Sequence, residues 1–126
     1  MKLVLAIALG GAIGAVGRHY VSVAMVLLVG YGFPWGTLVV NIVGSFLMGA
    51  LIETMTLVWS PSVEIRALLT VGLLGAFTTF STFSLDVATL YERDATLQLA
   101  AYVVVSVAVS ILALFAGLRL MRLVLV

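Results

Sequence analysis

The chain has 126 residues, 64% of them hydrophobic and 9% charged, with a net charge of +1 and no cysteine. A soluble domain carries roughly 45–50% apolar and about 25% charged residues, and a body this small has too little interior to hide so many Leu, Val, Ala and Ile side chains, so a water-soluble globule is excluded and lipid is the expected solvent. The scattered Lys and Arg exclude a nucleic-acid partner, and the absence of cysteine together with a single histidine excludes thiol chemistry, disulfides and His-rich or Cys-ligated metal clusters.

A membrane span takes roughly 20 mainly apolar residues. Breaks at Gly30-Tyr31-Gly32-Phe33-Pro34, Ser60-Pro61-Ser62 and Tyr91-Glu92-Arg93-Asp94 divide the chain into four such spans, about Leu3–Val29, Trp35–Leu57, Val63–Leu90 and Ala95–Leu123. The expected fold is all-α: a polytopic membrane protein of one domain, residues 1–126, with both termini on one side. The loops leave no room for an extramembrane domain, so function must be carried out within the bilayer or at its edges.

The first span begins at Met1-Lys2, the outline of a signal peptide, but its apolar run contains Gly10, Gly11, Gly14 and Gly17 and continues past Arg18, so a retained helix is expected. Gly10 and Gly14 form a small-xxx-small pattern, for which tight packing inside the chain is favoured over a subunit interface. Arg18 lies well inside the span, where an unpaired charge costs about 2.5–3.5 kcal/mol even on the lenient insertion scale. It is either a positive charge at the mouth of an anion path or a side chain snorkelling to the interface beside His19 and Tyr20.

The second span carries Asn41, whose amide offers two donors and an acceptor. The alternatives are replacement of part of an anion's hydration and an interhelical hydrogen bond. The latter is worth only about 0.6 kcal/mol on average in membrane proteins, which favours the functional use. Gly44 and Gly49 open one face of this span to close helix approach.

In the third span Gly72 and Gly75 precede Thr78, Thr79, Ser81 and Thr82, so poor helix formers and backbone-competing hydroxyls meet at mid-membrane. A broken helix is expected; a continuous helix with hydroxyls bonded back to its own carbonyls is the alternative. Irregular backbone at this depth must be buried or line a cavity, where its carbonyls and amides become ion ligands. Phe77, Phe80 and Phe83 recur at i, i+3 and i+6, a stripe that is either simple packing or, beside the hydroxyl run, a set of rings whose positive edges suit weak anion attraction and rapid release.

The fourth span places Tyr102, Ser106 and Ser110 at i, i+4 and i+8. They form either a hydroxyl track or hydrogen bonds to neighbouring helices. Glu53, Glu64, Asp86, Glu92 and Asp94 fall near span ends or, for Glu53 and Asp86, somewhat inside, with solvation or ion pairing as their default role. No catalytic constellation is present, so an enzyme is not expected. The positive-charge bias is weak, with Lys2, Arg66, Arg119 and Arg122 towards the termini and Arg18 and Arg93 towards the other side, which leaves insertion both ways open. Four helices packed around one axis fill their middle with side chains, so a conducting path forms most simply between subunits.

Three stretches together, GGAIGAVGR from Gly10 to Arg18, GTLVVNIVGSFLMG from Gly36 to Gly49 and GLLGAFTTFSTFS from Gly72 to Ser84, resemble the Fluc (CrcB) family of fluoride channels. The resemblance covers essentially the whole chain. It implies a fluoride-selective passive channel that exports fluoride through two pores in an antiparallel, dual-topology homodimer, within a bacterial inner membrane. It implies a sodium ion at the dimer centre held by the backbone carbonyls of Gly75 and Thr78. It places Asn41, Phe80, Phe83, Tyr102, Ser106 and Ser110 in the pore with Thr79, Ser81 and Thr82 as further donors, and Arg18 at the vestibule. Asp86 stands where the family commonly has a glutamate, and its shorter side chain argues against a direct contact by that carboxylate. The rival reading, a four-helix proton-coupled exporter of cationic drugs, needs a carboxylate deep in a span, whereas the first span offers Arg18. A noncatalytic subunit of a larger membrane assembly is the third.

Overall fold

Four apolar runs become helices because lipid offers no partner for backbone N–H and C=O groups, and a helix satisfies them within the segment. The computed structural model describes all 126 residues and consists of α1 (Lys2–Val29), α2 (Trp35–Leu57), a segmented third span and α6 (Thr96–Leu125). The third span contains α3 (Val63–Ala67), a π-helical stretch Leu68–Leu74, α4 (Gly75–Phe77) and α5 (Phe80–Glu92). All four spans are long and apolar enough to cross a membrane, so this is a multi-pass membrane protein. The expected span limits hold to within two residues.

Each connection has a local cause. Gly30 and Gly32 sit at φ +79° and +109°, a region L side chains rarely adopt, and Pro34 then fixes the chain as α2 begins. Ser62 caps α3 by accepting the Ile65 N–H at 3.3 Å.

The spans pack in two parallel pairs, α2 on α6 and α1 on the first half of the third span, with glycines at the crossings. A Cβ on Gly49 would collide with the Leu114 carbonyl oxygen, and one on Gly117 with that of Phe46. Likewise, Gly10 and Gly14 abut the backbone of Leu68 and Leu73, and Gly72 abuts Gly10 in return. The small-residue pattern of the first span is therefore spent inside the chain, as expected. Where the close pair ends, Glu53 of α2 accepts from Arg122 Nε of α6 at 2.6 Å, a buried carboxylate paired with a half-exposed guanidinium.

Only 17 of 126 residues are buried, and Leu27, Leu28 and Leu123 are about four-fifths exposed, so most of the apolar surface faces lipid. The compact apolar cluster is small: Leu38, Phe83, Leu90 and Tyr102, with Phe33 and Val87 against it.

The third span is broken at Thr78 and Thr79, whose backbone is extended. Two features differ from expectation. The distortion begins earlier, because the π-helical stretch Leu68–Leu74 widens the helix where Gly72 lets α1 approach backbone to backbone. The break also divides the phenylalanine stripe. Phe77 ends α4 and lies against Gly44 and Gly17, whereas Phe80 and Phe83 belong to α5 with ring centroids 5.5 Å apart. Helical spacing placed the three rings on one side only if the helix were continuous.

Candidate permeation site

The break creates the site by diverting hydrogen bonds. In an unbroken helix the Thr79 N–H would donate to the Gly75 carbonyl and the Thr82 N–H to that of Thr78. Instead Thr79 N–H donates to Asn41 Oδ1 at 2.8 Å, and Thr82 N–H donates to Thr79 Oγ1 at 3.2 Å. The carbonyls of Gly75 and Thr78 thereby lose their helical donors. Asn41 Nδ2 returns a hydrogen bond to the Thr79 carbonyl at 3.0 Å. The amide of α2 thus stands in for a peptide partner on both sides of Thr79 and keeps one N–H in reserve. At the start of α5 the N–H groups of Phe80 and Ser81 precede the first helical hydrogen bonds.

Beside this break runs a lane between α2, α5 and α6, lined by Asn41, Ser45, Thr79, Phe83, Ser106 and Ser110, with Thr78 and Phe80 at its edge. Its most telling atoms are two hydroxyls. Ser106 Oγ and Ser110 Oγ are buried and have no hydrogen-bond partner. Elsewhere in the chain, helical hydroxyls turn back onto the carbonyl four residues earlier, as in Thr54, Thr56, Thr70, Thr78, Ser84 and Thr89. The α6 serines do not, although a buried unpaired polar group costs about 1–3 kcal/mol. Both residues line the lane, and nothing in the protein binds their hydroxyls.

The expected residues are only partly brought together. Asn41, Thr78, Thr79, Phe80, Phe83, Ser106 and Ser110 meet at the lane. Phe80 is 77% exposed, its ring projecting from the protomer, while Phe83 is buried in the cluster. Tyr102 shares the α6 face but leaves the lane. Its ring is enclosed between Phe83 (5.2 Å) and Phe33 (5.4 Å), and its hydroxyl donates to Asp86 Oδ2 at 2.8 Å. The Asp86 carboxylate therefore does make a direct contact in spite of its short side chain, because α5 passes close enough to α6 at this level. Ser81 is exposed, its hydroxyl 3.4 Å from that of Thr79, and Thr82 contributes its backbone to the Thr79 cap; neither side chain lines the lane. Arg18 lies half-buried on α1 without an ion-pair partner and lines neither of the two main cavities. Ser45 was missed by sequence reasoning, although the i, i+4, i+8 spacing of Thr37, Asn41 and Ser45 on α2 mirrors that of Tyr102, Ser106 and Ser110 on α6 and marks a second polar stripe.

Four spans, a broken helix with diverted hydrogen bonds and an intramembrane lane of unpaired donors define a membrane protein built around a polar path, not a catalytic centre. The chain belongs to the family described as CrcB-like protein, Camphor Resistance (CrcB), whose model matches residues 5–118. It is similar to proteins named fluoride-specific ion channel FluC from Rhodospirillum centenum (52% identical over 122 residues, 97% of each chain) and Chelativorans sp. (58% over 116 residues, 92% of this chain and 93% of the relative). The protein of that name from Agrobacterium fabrum is 53% identical over 116 residues, again 92% and 93% of the two chains. The family is one of ion channels, and the chain is not an enzyme.

Proposed function

We propose that this protein is a fluoride-selective passive channel that lets fluoride leave the cell down its electrochemical gradient. The observation that carries the reading is the pair of buried, unpartnered hydroxyls at Ser106 and Ser110, set in a lane with the Asn41 amide and the Phe80 and Phe83 rings. Hydroxyls can turn their hydrogens towards an anion, and ring edges carry partial positive charge. Together they replace part of fluoride's hydration without a full charge that would trap it. The naming of relatives that match nearly the whole chain supports fluoride as the ion.

The working unit is an antiparallel, dual-topology homodimer with two pores, in the bacterial inner membrane. The exposed ring of Phe80 and the exposed Gly75, on either side of the break, support a second copy covering it. The weak charge bias between the two sides supports insertion in both directions.

Sodium fits the carbonyls of Gly75 and Thr78. Both have lost their helical donors, and a hard cation takes oxygen ligands of this kind. A bound cation would fix the break by offsetting the clustered carbonyl dipoles. The chain's own part in permeation lies elsewhere: Asn41 holds Thr79 extended, and the serines and phenylalanines line the path.

The test is fluoride efflux from liposomes containing the purified protein, followed with a fluoride electrode, alongside cysteine-free cross-linking of the reconstituted protein to count subunits. Rapid efflux from a dimer is expected. A folded dimer without fluoride efflux would overturn the channel reading, and efflux from a monomer would overturn the two-pore assembly.

A further inference from the structure

A second cavity of about 240 Å³ opens where the α1–α2 loop meets the end of α5, away from the lane. Thr37, Asp86 and Leu90 line its inner end, while Tyr31, Gly32 and Arg93 line its rim. The Tyr102 side chain stands between it and the lane. The Tyr102 ring packs on Phe83, which lines the lane, and on Phe33, which lines this cavity, and its hydroxyl reaches Asp86. The two cavities are therefore the two sides of one wall. The polar stripe of α2 crosses the same wall, with Thr37 on one side and Asn41 and Ser45 on the other.

Arg93 is placed at this rim by a specific contact. Its Nη2 donates to the Gly32 carbonyl at 3.1 Å, a hydrogen bond across 61 residues of sequence that fastens the end of α5 to the first loop. The backbone acceptor does not neutralise the guanidinium, which makes no ion pair; the only ion pair in the chain is Glu53–Arg122 at the opposite end of the spans. Glu92 and Asp94 flank Arg93 in sequence and are exposed, but neither lines the cavity. Asp86 is the one acid that does, and its carboxylate is engaged by the Tyr102 hydroxyl. A cation fixed at the rim of a narrow, low-dielectric opening focuses the field and raises the local concentration of anions.

We propose that this cavity is the loop-side mouth of the permeation lane and that Arg93, anchored on the Gly32 carbonyl, is its anion-collecting residue. The proposal rests on the anion-channel reading. It assigns to Arg93 a role in capture, not in selectivity within the lane, so its effect is electrostatic and screened by salt. The Debye length falls from about 30 Å at 0.01 M to about 3 Å at 1 M ionic strength, which takes the rim charge out of reach of an approaching ion.

The experiment compares fluoride flux of wild type, Arg93→Gln and Arg93→Lys in liposomes of neutral phosphatidylcholine, at 10 mM and at 1 M ionic strength set with an impermeant salt. Arg93→Gln is expected to lower flux by about tenfold at low ionic strength, the lower end of electrostatic steering effects, and to approach wild type at 1 M. Arg93→Lys keeps the charge and is expected to stay near wild type at both. Equal flux for wild type and Arg93→Gln at 10 mM would overturn the proposal. So would an equal loss at both ionic strengths, which would mark the Gly32 contact as purely structural. Absence of fluoride flux from the wild type would instead remove the channel reading itself, and this role with it.

Discussion

Asn41 and Thr79 hold each other through two hydrogen bonds of opposite sense, amide to carbonyl at 3.0 Å and backbone N–H to amide oxygen at 2.8 Å. The contact joins α2 to the break of the third span across 38 residues of sequence. It shows the interhelical hydrogen bond that was one of the two uses expected for Asn41. The amide makes an interhelical bond, the bond sustains the irregular backbone, and the remaining N–H stays at the lane.

Asn41→Asp is expected to slow fluoride flux by at least about tenfold and to lower the melting temperature in detergent. The new carboxylate still accepts from Thr79 N–H, but it faces the Thr79 carbonyl with no donor and adds a negative charge to an anion path. Loss of one bond with an unpaired carbonyl left behind corresponds to about 1–3 kcal/mol. Unchanged melting and unchanged flux would show that the amide neither holds the break nor meets the ion.

Ser106→Ala and Ser110→Ala separate function from stability. Neither hydroxyl has a partner in the protein, so stability should change by no more than about 0.5 kcal/mol, or rise slightly. Flux should fall by about three- to tenfold for each, the equivalent of a lost hydrogen bond of ~0.5–1.5 kcal/mol. Melting curves and electrode efflux on the same preparations check both halves. A loss of stability equal to the loss of flux would contradict the assignment of these hydroxyls to the ion.

Phe80 and Phe83 are expected to behave differently despite their shared helix. Phe80→Ile leaves the protomer core untouched, since that ring is 77% exposed, yet should cut flux by about tenfold through loss of the ring-edge contact. Phe83→Ala removes a ring packed on both Phe80 and Tyr102, so it should also lower stability, by at least about 1 kcal/mol for the lost ring pairs. Wild-type flux in a folded Phe80→Ile dimer would sink its place in the path.

Glycine substitutions test the packing. Gly49→Ala drives a methyl group into the Leu114 carbonyl and should cost about 1–3 kcal/mol, whereas Gly11→Ala meets nothing within 4 Å and should be neutral or stabilising by up to about 1 kcal/mol. Thermal melting of the two variants side by side distinguishes a backbone-to-backbone crossing from a loosely packed pair.

Much of this arrangement was legible in the sequence because lipid imposes strong rules. The span limits followed from apolar length and loop residues, and the break from Gly72, Gly75 and the hydroxyl run. Two things were not legible. The π-helical stretch Leu68–Leu74 has no residue signature of its own and arises from the approach of α1 at Gly10 and Gly72. The destination of Tyr102 was also hidden, because a shared helical face with Ser106 and Ser110 says nothing of where a long side chain ends. Its hydroxyl goes to Asp86, which a pattern confined to one helix cannot show. Ser45 was within reach, at the next i+4 position after Asn41.

The most direct measurement is the reversal potential of the current in a planar bilayer containing the purified wild-type protein, with opposed fluoride and chloride gradients. Reversal is expected at the fluoride equilibrium potential, unmoved when the chloride gradient is changed. Reversal that follows chloride, or a current that depends on an imposed proton gradient, would contradict a passive fluoride-selective path.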